Sequence, residues 1–215
     1  LGLVGSEMCI RDRYNPDLIY FDDTVLPFYP INNVGPRIAA HAYNKSLKEN
    51  GSQKTVILGK VLNEAQKECM VWDIERGIPD RIQEKPWQTC TCIGTWHYER
   101  SFYDNNRYKS AKTVINMLID IISKNGNLLL SVPMRGDGTI DDKEEAILKT
   151  ISDWMDINKE SIYDTRPWKV FGEGPTADQI NPMKGPGFNE NIKYSNKDIR
   201  YVIKGNTCLL YTSPS

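Results

Sequence analysis

The chain has 215 residues, with 27 basic and 28 acidic side chains and a formal net charge of −1. That balance argues against a nucleic-acid groove or a polybasic membrane patch, and no apolar run approaches the roughly 20 residues of a membrane-spanning helix. Five Trp and 11 Tyr supply aromatic surface that stacks well on sugars, but filling a core is its default use.

Both ends read as foreign. LGLVGSEMCIRDR (1–13) and CLLYTSPS (208–215) resemble translated adapter sequence, so the natural part is expected from about Tyr14 to about Thr207. Leu1–Ile10 is then no signal peptide despite its apolar start. Cys69, Cys90 and Cys92 remain, an odd count with one C-x-C. That gives neither a disulfide framework nor a four-ligand zinc pattern, and free buried thiols are expected.

The chain is organised around Tyr14–Asp23, YNPDLIYFDD. Pro16 marks an element start. Leu18–Phe21 is a short apolar run, the pattern of a parallel strand buried on both faces. Asp22 and Asp23 follow, and the C-terminal mouth of a parallel strand is where barrel enzymes place their chemistry. After a Pro/Asn-rich loop, Ile38, Ala39, Ala42, Tyr43 and Leu47 recur at helical spacing from about Arg37 to Asn50, closed by Gly51. His41 on that helix reads as a surface histidine. Thr55–Leu58 is a β-branched strand, and Asn63–Lys67 is a polar stretch. Met70–Ile74 carries the next apolar segment, with Asp73 and Glu75 at its end. Thr89–Trp96 reads as a strand or extended loop.

The next unit is the clearest. Ser110 caps a helix with Ile115, Leu118, Ile119 and Ile122 on one face, and Asn125-Gly126 ends it. Asn127–Val132 is a buried strand and Pro133–Thr139 a glycine-rich loop. That loop lacks the Lys-Ser/Thr ending of a phosphate loop, and a tight turn accounts for it. Asp142 with Glu145 is expected to box the start of a helix carrying Ile147, Ile151, Trp154 and Met155. After Ile162 the helical period disappears. Ile180–Asn191 is loop-like, Asp198–Ile203 alternates into a strand, and KGNT reads as a turn. Alternating buried strands and amphipathic helices argue for an α/β fold, either a (β/α) barrel or a doubly wound sheet.

NPDLIYFDD, DIERG, KPWQTCTCIGTWHY, SKNGNLLLSVPMRGDGTI, DWMDINKESIYDTRPW and RYVIKGNT, in this order, resemble the glycoside hydrolase family 29 α-L-fucosidases. The resemblance covers nearly all of Tyr14–Thr207 and is most specific from Asn125 to Trp168. It implies a partial (β/α)8-like, TIM-type barrel over 14–168, its first half absent. A linker and the first strand of a C-terminal β-sandwich would follow over 169–207. It also implies retaining hydrolysis of terminal α-L-fucosyl linkages on fucosylated glycans, with no cofactor and a periplasmic or extracellular location.

By that resemblance Asp22 is the nucleophile, and Asp23 a neighbouring acid pointing the other way. Glu75 is taken as the acid/base, with Glu84 and Asp73 as rivals. Many relatives carry Glu where this chain has Gln88, so that position supplies no proton here. Trp96 aligns with an aromatic that packs on the fucose methyl, the alternative being a core tryptophan, and Tyr20 is a candidate second wall. His97 is better read as structural. Asp22, Asp23, His41 and His97 lack HxH or HExxH spacing, so no metal is expected. The rival from another class is a non-catalytic carbohydrate-binding module or decayed glycosidase that keeps the aromatic cleft.

Overall fold

The structure is a computed structural model that describes residues 9, 12–22, 31–179, 181–183 and 187–212. The chain divides into two compact units, Leu1–Asp73 and Ile74–Ser215.

In the first unit, β1 (Leu18–Phe21) is followed by α1 (Val34–Asn50) and β2 (Val56–Gly59). β1 and β2 pair in parallel, from Leu18 opposite Val56 to Phe21 opposite Gly59. Parallel neighbours need a crossover, and α1 supplies it. The helix starts three residues before the expected Arg37, because the Asn32 side chain accepts a 3.0 Å bond from the Val34 amide. It ends as expected at Gly51, whose φ of 68° is the left-handed conformation and whose N–H reaches Leu47 O. Buried Ala39 and Ala42 of α1 pack with Ile57, Leu62 and Met70, and Ile19, Phe21, Tyr43 and Trp72 close the edges. Each large aliphatic buried there contributes about 1.5–3 kcal/mol. The polar stretch at 63–67 leads into a single 3-10 turn, Gln66–Glu68, locked by reciprocal Asn63 and Gln66 side-chain bonds. β3 (Val71–Glu75) then pairs in parallel with β2 and carries the chain into the second unit.

In the second unit the end of β3 lies beside β4 (Trp87–Cys92): Arg76 N–H donates to Cys90 O and Thr89 Oγ1 to Ile74 O. Every residue of β4 is buried, as expected of a parallel strand covered on both faces. The connection at 76–86 contains no helix. In its place the segment 187–190 pairs with it: Phe188 N–H donates to Glu75 O, Glu190 N–H to Arg76 O, and Asn189 Oδ1 accepts from Ile78 N–H. Gly187 makes this approach possible, since a Cβ there would sit 1.8 Å from Glu75 O.

After the short α2 (Arg100–Asp104), Ser110 caps α3 (Ala111–Ser123) by accepting from Thr113 N–H. β5 (Gly126–Ser131) pairs with β4 along its full length. The Pro133–Thr139 loop closes on itself, with Arg135 N–H bonded to Thr139 O and Gly138 N–H to Arg135 O. α4 (Asp142–Asn158) does carry a capping box, but on Asp141 and Glu144, one residue before the expected pair. The Tyr108 hydroxyl donates to Asp141 Oδ2 at 2.6 Å and fixes that residue as the cap.

An antiparallel sheet completes the chain: β6 (Arg166–Glu173), β7 (Ile199–Lys204) and β8 (Thr207–Thr212), in that order. Where a linker and one strand are expected over 169–207, the structure has β6 running into that stretch as far as Glu173, β7 within it, and β8 starting at Thr207. β6 hides behind Pro167 and Gly172, which read as breakers. Pro167 lies near the strand start, where proline is tolerated, and the register shifts between Pro167 and Gly172. β8 includes Cys208–Thr212, residues expected to be foreign, and follows β7 through the Gly205-Asn206 turn, with Gly205 at φ 57°.

A buried charge cluster ties α3 to the antiparallel sheet. Asp120 accepts from Lys124 Nζ at 2.9 Å, from Arg200 Nε and from the Tyr194 hydroxyl at 3.0 Å. Burial pushes the Asp120 carboxyl up, but Lys124 and Arg200 outweigh it and hold the group below the usual carboxylate range. Asp120→Asn leaves two buried cations without their counter-charge and should cost about 3–5 kcal/mol. Its depressed pKa makes the Asp120 contribution complete above the ordinary carboxylate range and lost as pH falls through the lowered value. Urea unfolding at neutral pH checks this: an unchanged midpoint in Asp120→Asn would show that the cluster is not a structural tie.

Candidate functional site

The parallel register of the first unit assembles the site. Its last β1–β2 pair is Phe21 opposite Gly59, and β2 continues with Gly59 opposite Trp72 of β3. One residue further along each strand stand Asp22, Lys60 and Asp73, so three neighbouring strands offer an acid, a base and an acid in one row. Side chains in a row of a parallel sheet share a face.

The distances agree with that register. Lys60 Nζ lies 2.8 Å from Asp22 Oδ1 and 3.8 Å from Asp73 Oδ2. The Tyr20 hydroxyl lies 2.8 Å from Asp73 Oδ2 and 3.2 Å from Asp22 Oδ1. A phenol has one proton, and the shorter contact gives it to Asp73. The Lys60 ammonium also sits 5.8 Å from the Tyr20 ring centroid, within cation–π range.

Exposure separates the two acids. The Asp22 side chain is 68 % exposed, Lys60 only 9 %, and Asp73 is closed from solvent at 0 %. The hydrogen bond from the Lys60 ammonium holds the Asp22 carboxyl below the usual carboxylate range, against the opposing effect of burial. Asp22 is therefore a solvent-facing carboxylate, ionised at neutral pH. Asp73 is a buried group beside a cation, poorly placed to hand a proton to a bound molecule. Asp23 falls outside the described residues.

The remaining candidates lie in the second unit. Glu75 ends β3, and its Oε2 accepts from the Cys90 thiol at 3.3 Å. Glu84 is exposed and sits three residues before β4, where the Asn125 side chain, just before β5, bonds its carbonyl. That is the N-terminal end of those strands, opposite the end where parallel barrels do chemistry. Trp96 follows β4 by four residues and is 41 % exposed. His97 beside it is exposed, and His41 lies on α1 with Nε2 2.9 Å from Asp12 Oδ1. Cys90 and Cys92 are free and buried, but Cys69 is exposed, contrary to expectation. Among the described residues no three His, Cys, Asp or Glu side chains are grouped as metal ligands would be, and no helix is long and apolar enough to cross a membrane.

Glu190 adds a neutralised centre at the β3–β4 connection. It is buried against the Arg76 guanidinium at 2.6 Å and the Lys109 ammonium at 3.2 Å, and it accepts from Thr91 Oγ1. Neither Lys60 nor Glu190 was singled out from the sequence. The one signal for Lys60 was its place directly after an apolar strand, matching that of Asp22.

Comparison with known proteins places these features in a family. The family profile described as alpha-L-fucosidase matches residues 6–160. An alpha-L-fucosidase of Dictyostelium discoideum is 33 % identical over 92 residues, which are 43 % of this chain and 20 % of that protein. A solved alpha-L-fucosidase structure superposes with a TM-score of 0.71 at 20 % identity, covering 96 % of this chain and 40 % of the other. The Thermotoga maritima alpha-fucosidase, solved in complex with fucose, gives a TM-score of 0.67 at 20 % identity, with 96 % of this chain and 40 % of that one covered. The chain thus spans about two fifths of the length of these structural neighbours, and its matched part about a fifth of the curated relative. With the family profile matched over most of its length, the chain belongs to the α-L-fucosidase family.

Proposed function

We propose that this chain contributes the nucleophile and the acid/base of a retaining α-L-fucosidase acting on terminal fucosyl linkages of glycans. The observation that carries the reading is Asp22: an exposed carboxylate just past the end of a parallel strand, kept ionised by Lys60. A retaining glycosidase needs such a group and a second carboxyl on the opposite side of the scissile bond.

In the first step an Asp22 oxygen attacks the anomeric carbon. The bond to the leaving oxygen breaks, and that oxygen takes a proton from Glu75. In the second step Glu75, now a carboxylate, removes a proton from water. The water oxygen bonds to the anomeric carbon, and the ester to Asp22 breaks to release fucose with its configuration retained. Glu75 is preferred over its rivals because Asp73 is closed from solvent and Glu84 stands at the wrong strand end. Trp96 offers an exposed apolar face for the sugar's methyl group, which a hydroxymethyl would leave with an unpaired hydroxyl. The Tyr20 ring is the proposed second wall, its hydroxyl anchored to Asp73.

In the full-length protein, Asp22→Asn should reduce turnover on the order of 10^4-fold or more. Glu75→Ala should lose about 10^2–10^4-fold on natural glycosides, spare aryl fucosides with good leaving groups, and recover with azide. Azide rescue of Glu84→Ala or Asp73→Ala instead would move the acid/base there. Full binding of fucosides by a wild-type protein that shows no turnover would favour the non-catalytic module.

We further infer that the 215-residue chain by itself is inactive. A barrel closes only when all its strands pair, and catalytic geometry depends on groups held in place around the substrate. Expressing the chain alone and assaying an aryl α-L-fucoside tests this; turnover above background would show that these residues suffice.

A further inference from the structure

The geometry points to Lys60 as the positioning residue of the nucleophile: its ammonium binds one oxygen of Asp22, leaves the other open to the sugar, and is itself held in place by buried Asp73. This rests on the reading of Asp22 as the nucleophile.

The two Asp22 oxygens are not equivalent. Oδ1 takes Lys60 Nζ at 2.8 Å and the weaker Tyr20 contact at 3.2 Å. Oδ2 has no donor among the described residues. Attack therefore comes from Oδ2, with Oδ1 as the fixed end of the carboxylate. Lys60 is held from the other side as well. Burying an ammonium is costly without a counter-charge, and Asp73 supplies one 3.8 Å away. Asp73 is in turn fixed by the Tyr20 hydroxyl at 2.8 Å. Among the described residues of the first unit, the charged and titratable groups facing Asp22 are Tyr20 from β1, Lys60 just after β2, and Asp73 from β3.

The charge changes during the reaction give Lys60 a specific signature. When Oδ2 bonds to the anomeric carbon, the electron pair of the broken bond leaves with the aglycone oxygen, which takes the acid's proton. Asp22 becomes a neutral ester, and its ion pair with Lys60 is lost. When water displaces Asp22, the carboxylate and its ion pair return. Lys60 consequently opposes the first step in charge terms while orienting it, and it favours the second by stabilising the departing carboxylate. Its removal should slow breakdown of the glycosyl-enzyme more than its formation.

The test uses the full-length protein with Lys60→Met, Lys60→Gln and Lys60→Arg, assayed on an aryl α-L-fucoside with a good leaving group. Asp22 is protonated as pH falls through its lowered value, so the acid limb of kcat/KM lies low in the wild type. Without Lys60 that limb should move up in pH, because the opposite charge that holds the carboxyl down is gone. A pre-steady-state burst of phenol, stoichiometric with enzyme, should also appear. Lys60→Arg should keep the low limb. Should Lys60→Met fail to fold, Lys60→Gln against Lys60→Arg gives the same contrast. An unmoved acid limb with no burst in the uncharged variants would overturn the proposal. Labelling the wild type with a 2-fluoro fucosyl inhibitor separates the two readings. Label on Asp22 with unchanged Lys60 variants sinks only the role of Lys60, whereas label on another residue sinks the nucleophile assignment and this proposal with it.

Discussion

The parallel register of β1, β2 and β3 fixes the site, because it sets an acid, a lysine and an acid side by side at the strand ends. Each depends on the next. Asp73 is fully buried, and Lys60 and the Tyr20 hydroxyl face it. Lys60 is nearly buried and is balanced by a carboxylate on either side. Asp22, the exposed end of the row, is the only one of the three with room for a substrate, and the row keeps it charged. A slip of one residue in β2 would move Lys60 off this face and leave Asp73 buried without its cation. The apolar contacts of α1 on Ile57 and Met70 are what hold β2 against slipping.

The second unit solves a different problem. Its connection from β3 to β4 has no covering helix, yet β4 is buried throughout. The gap is filled from a distant stretch of sequence: 187–190 pairs with the backbone at 75–78, and Glu190 reaches Arg76, Lys109 and Thr91. Glycine at 187 is required by the closeness of that approach. The Asp120 cluster does similar work for α3, binding it to β7 through Arg200. Both ties are ionic and buried, so both are costly to break at one partner and specify one arrangement of loop, helix and sheet.

Much of this was legible in the sequence, because local chemistry decides it. Ser110 before an i, i+3, i+4, i+7 apolar face gave α3, and Gly51 gave the end of α1. Leu18–Phe21 followed by Asp22 gave the strand and its terminal acid, but β1 is not buried on both faces as expected: Leu18 is exposed and the other three residues are half-buried. Errors arose where a distant partner decides. The α4 cap moved to Asp141 because Tyr108, 33 residues earlier, bonds it. From the sequence, the first three residues of β6 read as the end of the barrel and the rest as linker, because proline and glycine punctuate the stretch until β7 is placed beside it. The local signal for Lys60, a single lysine directly after an apolar strand, does not say what it pairs with. Its meaning comes from strands 38 residues before it and 13 after it, brought alongside by pairing. Asp73, by contrast, was noticed as an acid but not as a buried one, since composition does not reveal which face of β3 turns inward.

The central claim is that Asp22 is an ionised, lysine-held carboxylate, and site-resolved 13C NMR titration of its carboxyl group in the native protein measures this directly. The account predicts a pKa below the usual carboxylate range, with the signal in its ionised position well into mild acid. A carboxyl that titrates at or above the ordinary value would contradict it, because Lys60 would then not be paired with Asp22 in solution.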